Sequence, residues 1–440
     1  MSLFHEVRVR LASPLRSIFH NNWFPVIIIL LSGMALRYAY VFYIHPPESY
    51  LFSDMAGYYD RGYQILIHMP KDIYDAFYPP GTSYLYSLLW KARDVQLAIK
   101  YFNLIISTLT CLIVYLICLL IFDRKTGLIA LILISFNFLF IDFAAFYLSE
   151  NPDALSLALM FWMFLLSIMA KKIYAKRLFA VLAGFAVIAS AAIKSSILLF
   201  LPLFGIWWLF NLRKYKIFYN LPFYALGFLP LCIFLMIRYN SITGEFGLIS
   251  SNGGMNFFQG RSHIKDVNCY DPGNGRYYLF ASPIAHHKNY FYNDTFNAGP
   301  YDSHFFYKLG IEFARSQPWK SVGYSFGHVY DMLFITDVWP SSISKKPPPY
   351  ISRFFNTLNI FIVTIPAFIA CIFYWRSLRS GPGILIIFPI LVIILTSMIF
   401  YGDPRYRVPF DIFFIMLAAV FYAKLIPGWI YKYSHRVISD

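Results

Sequence analysis

Apolar runs of about 18–22 residues recur along the chain, a length that carries a helix across the hydrocarbon of a bilayer. They fall at about 23–44, 101–122, 127–147, 154–170, 178–193, 196–212, 219–238, 355–375, 383–401 and 408–426. This pattern predicts an all-α polytopic membrane protein with about ten spans. Two long polar stretches break the rhythm, 45–99 and 239–350. The first carries Ser53-Asp54-Met55-Ala56-Gly57-Tyr58-Tyr59-Asp60-Arg61-Gly62. Ser53 can cap a helix starting at Asp54, with Tyr59, Gly62, Tyr63, Leu66 and Ile67 on its apolar-aromatic face. A second short helix follows Pro79-Pro80-Gly81, and both are predicted to lie in the membrane interface. Three parts result: a transmembrane module over 1–238 whose first outer loop is 45–99, a large outer loop or subdomain over 239–350, and C-terminal helices over 351–440. Two positions disturb the apolar pattern. Arg37 lies inside the first span, where it must snorkel or line a polar cavity. Asn137 and Asp142 mark 127–147 as the span most open to being broken.

Composition sharpens this picture. The chain has 440 residues, of which 59% are hydrophobic and 13% charged, about half the charge of a soluble domain. Its net charge of +15 need not mean nucleic acid. The basic residues cluster in alternate connections, such as Arg124-Lys125, Lys171-Lys172 and Arg213-Lys214, as the positive-inside rule requires of cytoplasmic loops. Placing these inside puts 45–99, 148–153, 194–196, 239–350 and 402–407 on the outer face. Residues 1–22, with Arg8, Arg10 and Arg16, read as a cytoplasmic interfacial segment without a cleavable signal pattern. Of five cysteines only Cys269 sits in a large polar loop, so no disulfide framework is expected.

The outer segments hold the chemistry-bearing residues. Asp54 reads either as a general base or as an acid favoured in a first helical turn. Tyr58 and Arg61 follow it at i+4 and i+7, on the same helix face. Tyr78 opens a rigid turn that can also wall a site. Glu150, in Ser149-Glu150-Asn151-Pro152-Asp153, can bind a sugar hydroxyl or a metal, or belong to a helix cap. Lys194 can meet a lipid phosphate or snorkel. Asn252 and Asn256 flank Gly253-Gly254, a turn signal whose amides also suit anions and hydroxyls. Arg405 and Arg407, in Tyr401-Gly402-Asp403-Pro404-Arg405-Tyr406-Arg407, break the positive-inside trend; a guanidinium grip on phosphate explains that, as does pairing with lipid headgroups. The outer histidines, His263, His286, His287, His304 and His328, have no zinc-helix spacing, and no metal ligand set is expected.

In this order the segments resemble the GT-C superfamily of polyprenyl-phosphate-sugar-dependent glycosyltransferases, which includes the protein O-mannosyltransferases and the lipid A aminoarabinose transferase. Asp54 with Tyr58 resembles the first-loop motif, and Tyr78-Pro79-Pro80-Gly81 the second interfacial motif. Leu148-Ser149-Glu150 resembles the next. Ser251-Asn252-Gly253-Gly254-Met255-Asn256 is similar to the Asn-Gly-Gly turn of bacterial members. Ala314-Arg315-Ser316-Gln317-Pro318-Trp319-Lys320 resembles a late-loop segment, and Asp403-Pro404-Arg405-Tyr406 the final outer turn. Two positions depart from the pattern: Tyr78 stands where lysine is frequent, and Met55 where a second acid usually follows the first.

The resemblance implies a GT-C fold and an inverting sugar transfer at the periplasmic face of a bacterial inner membrane. Asp54 would be the base, with Arg405, Arg407 and Lys194 beside the leaving phosphate. Tyr58, Arg61, Tyr78, Glu150, Asn252 and Asn256 complete the expected substrate-binding set. The expected partners are a polyprenyl-phosphate sugar, a periplasmic lipid, glycan or protein acceptor, and membrane lipids, with no nucleic acid. No cofactor is expected, and a divalent metal lacks support from ligand spacing. Two other readings fit the same composition, a flippase or transporter for a lipid-linked glycan and a non-enzymatic envelope assembly protein.

Overall fold

A computed structural model describes residues 23–215, 217–273, 275–281, 292–343, 347–379 and 382–425. The expected interfacial segment at 1–22, and His286 and His287, lie outside them. The chain is a multi-pass, all-α membrane protein. Among the described residues, eight helices are long and apolar enough to cross a membrane, or nine if one bent pair is a single span.

The first span, Phe24–Ile44, consists of α1 (Phe24–Ala39) and one wider turn. Two short helices follow, α2 (Asp54–Leu66) and α3 (Gly81–Leu89). They pack closely: a Cβ at Gly62 would crowd Tyr86 and Trp90. The start of α2 falls at Asp54, as the pattern predicts, but Ser53 does not cap it. Its φ is 52° and its side chain makes no capping bond. That backbone lies outside the extended geometry that aims a capping hydroxyl at the first turn.

α4 (Val95–Ile121) and α5 (Arg124–Ser135) both start at aspartates, with Asp94 accepting from Leu97 N at 2.9 Å and Asp123 from Thr126 N at 2.8 Å. After α5 the chain bends by 54° into α6 (Phe138–Asp142). This is the break that Asn137 and Asp142 foreshadow. Asn137 caps α6 by accepting from Leu139 N at 3.0 Å, and Asp142 accepts from the Tyr40 hydroxyl at 2.6 Å. Arg37 completes the break. It neither snorkels nor lines a cavity: it donates to the Ile134 and Ser135 carbonyls at 3.1 and 2.7 Å, and to Ser107 at 2.8 Å. Both carbonyls belong to the last turn of α5, beyond its regular pairing; Ile134 O also takes Asn137 N at 3.4 Å, and the buried guanidinium completes them where water cannot reach.

α7 (Glu150–Met169) and α8 (Ile173–Ile193) follow as spans, then α9 (Phe200–Tyr215) and α10 (Leu221–Thr243). The apolar part of α9 is shorter than a full span. Yet α8 and α10 run parallel, since the Arg177 guanidinium near the start of α8 lies 5.0 Å from the Phe223 ring near the start of α10; where they cross, Gly184 meets Tyr224 and Gly227 meets Val181 with no room for a Cβ on either. Such small-residue contacts let backbones approach. The chain between two parallel spans has to return, and α9 is the segment that does so.

The large loop builds α11 (Gly253–Arg261), strands β1 (Ile264–Asp271), β2 (Arg276–Ala281) and β3 (Tyr292–Phe296), then α12 (Ser303–Ser316) and α13 (Pro318–Phe334). The sheet order is β2-β1-β3, antiparallel then parallel. This small sheet was not expected from the sequence. The subdomain has its own apolar core of Met255, Phe258, Val267, Cys269 and Phe306, and Phe77 of the first loop belongs to it. Ser251 N and Asn252 N donate to the Ala76 and Phe77 carbonyls at 2.9 and 3.1 Å.

The remaining helices are α14 (Pro349–Asn359), α15 (Ile365–Arg379), α16 (Ile387–Ile399), the single turn α17 (Pro404–Arg407) and α18 (Asp411–Val420). Every residue of α18 is buried, so the last span is the centre of the bundle. The loop subdomain grips the end of α16. A Cβ at Gly260 would collide with the Phe400 carbonyl, and Arg261 donates to the Met398 and Ile399 carbonyls. His328 pairs with the Gly260 carbonyl at 3.0 Å, a packing role.

Candidate active site

Five separate stretches of chain meet at the end of the bundle that carries the loop subdomain. α2 brings Asp54, Tyr58 and Arg61. The turn before α3 brings Tyr78. The start of α7 brings Glu150, the end of α8 brings Lys194, and α17, on top of the buried last span, brings Arg405. The cavity between them has a volume of about 1330 Å³. Asp54, Tyr58, Arg61, Tyr78, Lys194 and Arg405 line it, as do Asn252 and Asn256. Apolar side chains from the membrane helices also line it, among them Leu198, Leu199, Ile393 and Phe410.

The charged groups form one connected set. Arg405 Nη2 donates to Asp54 Oδ2 at 2.9 Å, and its Nε to Glu150 Oε1 at 2.6 Å. Lys194 Nζ reaches the same Glu150 oxygen at 3.2 Å. Two carboxylates are thus balanced by two cations. Glu150 is fully buried behind the cavity wall, while Asp54 is partly open to it. Glu150 Oε2 is a buried atom without a hydrogen-bond partner. The Tyr78 hydroxyl donates to Asp54 Oδ1 at 3.1 Å. Burial, and then the Asp54 charge, push that phenol well above the ordinary tyrosine range, so it is a neutral donor. Tyr58 is pushed up to about 12 for the same two reasons.

Arg407 is corrected. It does not line the cavity. Its guanidinium pairs with Asp411 at 2.8 Å and donates to the Leu333 carbonyl at 2.8 Å, deep in the bundle. Asp411 also accepts from Asn359 at 3.2 Å, and Asn359 from Asn137 at 2.8 Å. The helical turn that aims Arg405 at the cavity aims Arg407 at the α18 carboxylate one turn on.

Sequence reasoning missed the aromatic partners of the cations. Trp339 lies 4.6 Å from the Arg405 guanidinium and Tyr406 5.0 Å from Lys194 Nζ. Such faces attract cations. Nothing in the sequence joins Trp339 to a residue 66 positions later, since only the loop subdomain's packing does so. Asp403 caps α17, accepting from Arg405 N at 2.7 Å, and burial raises its carboxyl to about 6.

Among the described residues no three His, Cys, Asp or Glu side chains are grouped so as to hold a metal ion. The position facing both Asp54 and Glu150 is filled by the Arg405 guanidinium.

No family model matches the chain, and no curated protein matches its sequence. Solved structures do match. The oligosaccharyltransferase of Archaeoglobus fulgidus in its apo form aligns with TM-score 0.50 and 13% identity, over 95% of this chain and 52% of that one. The same organism's AglB, solved with an inhibitory peptide and a dolichol-phosphate, aligns with TM-score 0.51 and 13% identity, over 94% and 52%. The chain shares the fold of these two structures. The chain spans about half the length of the solved proteins it matches, and at this identity the likeness is one of fold alone.

Proposed function

We propose that this chain is a membrane-embedded inverting glycosyltransferase that moves a sugar from a polyprenyl-phosphate donor to an acceptor on the outer, periplasmic side of an inner membrane. The acceptor is a lipid, a glycan or a protein. The reading rests on one observation above the others: Asp54, Arg405, Glu150 and Lys194 form a charge-balanced set at the wall of a large outer cavity. Fold likeness to an oligosaccharyltransferase solved with a dolichol-phosphate supports it.

Each group then has a step. An incoming lipid phosphate competes with Asp54 for Arg405 and with Glu150 for Lys194. That competition frees Asp54, which takes the proton of the acceptor hydroxyl or amine as its lone pair attacks the anomeric carbon. The carbon–oxygen bond to phosphate breaks, and its electron pair leaves with the phosphate. Arg405 and Lys194 stabilise the charge growing there. Glu150, buried and paired with both, holds the two cations in place. Tyr78 and Tyr58 brace Asp54, Asn252 and Asn256 offer amides to hydroxyls, and the apolar lining takes the first part of the lipid chain.

The test uses purified full-length protein with labelled polyprenyl-phosphate sugars and a panel of acceptors. Release of polyprenyl phosphate that Asp54→Asn abolishes, with donor binding retained, supports the reading. Normal transfer by Asp54→Asn removes Asp54 as the base. Lipid binding with no release for any acceptor favours the transporter reading.

A further inference from the structure

Four cationic side chains among the described residues line the cavity: Arg61, Lys194, Arg353 and Arg405. Three have carboxylate partners, Lys194 on Glu150, Arg353 on Asp337 and Arg405 on Asp54 and Glu150. Arg61 has none. Its Nε donates to the Gly57 carbonyl at 2.9 Å, which folds the side chain back along α2 by one turn, about 5 Å towards Asp54. Its guanidinium is set among three phenol rings, 4.4 Å from the Tyr78 centroid, 5.8 Å from Tyr58 and 5.9 Å from Tyr74.

These contacts hold the plane of the guanidinium and leave its two terminal nitrogens without a hydrogen-bonded partner. An arginine that only braces a helix spends its donors on carboxylates or carbonyls, as Arg37 and Arg407 do here. Arg61 spends one, and its fork is otherwise open at a cavity wall. Stacking also lowers its loss of side-chain freedom when an anion arrives. The leaving phosphate of the proposed reaction already has two cations at Arg405 and Lys194, and Arg61 is linked to them only through Tyr78, which lies against Arg61 and donates to Asp54, the partner of Arg405. A third cation therefore calls for a second negative charge on the substrate.

We propose that Arg61 forms a separate oxyanion subsite, and that the natural substrate carries an acid group, carboxylate or phosphate, besides the leaving phosphate. The site rests on the transferase reading for its neighbours but not for its own chemistry. Two sources supply such a group: the second phosphate of a lipid diphosphate, or an acidic saccharide.

Binding to the purified full-length protein in detergent separates them. One arm compares a short-chain polyprenyl monophosphate with the diphosphate. The other compares a uronic-acid oligosaccharide with its neutral counterpart. The wild type is expected to prefer the acidic member of one pair by roughly tenfold to a hundredfold. Arg61→Gln is expected to abolish that preference, and Arg61→Lys, which keeps the charge without the fork, to reduce it. The pair that responds names the source. Arg61→Lys also serves if the glutamine variant does not fold. Equal binding within both pairs, or a preference that both variants retain in full, overturns the proposal. If the wild type binds no polyprenyl phosphate, yet the Arg61-dependent preference for the uronic acid is present, the transferase reading falls and the subsite stands.

Discussion

Arg405 and Arg407 are two residues apart, and both are buried. They nevertheless belong to different regions of the molecule. Arg407 lies in the bundle interior, where Asp411, Asn359 and the Leu333 carbonyl surround it. Arg405 lies at the cavity wall, between one carboxylate buried behind it and one in front of it that the cavity reaches. Arg37 repeats the first case in the other half of the protein, capping α5 at mid-span. The difference teaches what separates a structural arginine from a candidate functional one. Burial does not, and charge pairing does not. What matters is whether a ligand can reach and replace a partner.

The comparison breaks or sharpens under substitution. The largest effect is expected at Asp54, the partner that a ligand can replace. Asp54→Asn should lower transfer by about 100- to 10,000-fold, the range of general-base catalysis. Its melting temperature should stay near that of the wild type, because Arg405 keeps its buried bond to Glu150 and the asparagine oxygen still accepts from it. Arg407→Gln should do the reverse. It leaves Asp411 an uncompensated buried charge, costing on the order of 3–5 kcal/mol, seen as a lower melting temperature and yield. Whatever folds should bind donor normally. Equal loss of donor binding by Arg405→Gln and Arg407→Gln would erase the distinction.

Smaller effects refine it. Arg37→Met should destabilise by about 1–3 kcal/mol, chiefly by stranding the Ser135 carbonyl, since Ile134 O keeps Asn137 N, without a change in donor affinity. Asp403 gives the mildest test, through pH. Its folded carboxyl sits at about 6, against about 4 when unfolded. The folded state thus favours the protonated form. That contribution is fully present below pH 4 and is lost as pH rises through about 6. Melting curves across this window should therefore fall for the wild type relative to Asp403→Asn, which carries no titrating proton there.

Much of this was legible in the sequence. The spans, the helix start at Asp54, the helix after Pro79-Pro80-Gly81 and the break near Asn137 follow from periodicity and from residues with special backbone chemistry. So does the concentration of polar candidate residues in the segments between the spans. The β-sheet over 264–296 was not legible, since its strands are short and the apolar side they bury faces a core completed by Phe77, far away in the chain. Ser53 was misread because cap preference is a statement about typical backbones, and its φ of 52° is not typical.

The sequence by itself determined that this chain crosses a membrane many times and which segments carry its polar chemistry. Runs of apolar residues have only one low-energy solvent, and that holds residue by residue. Tertiary structure alone decided which polar residues share a site. It parted Arg405 from Arg407, gave Glu150 its two cations, set Trp339 over Arg405 and left Arg61 without a carboxylate. Those outcomes depend on where helices distant in sequence cross, and crossings are fixed by packing against α18 and the loop subdomain.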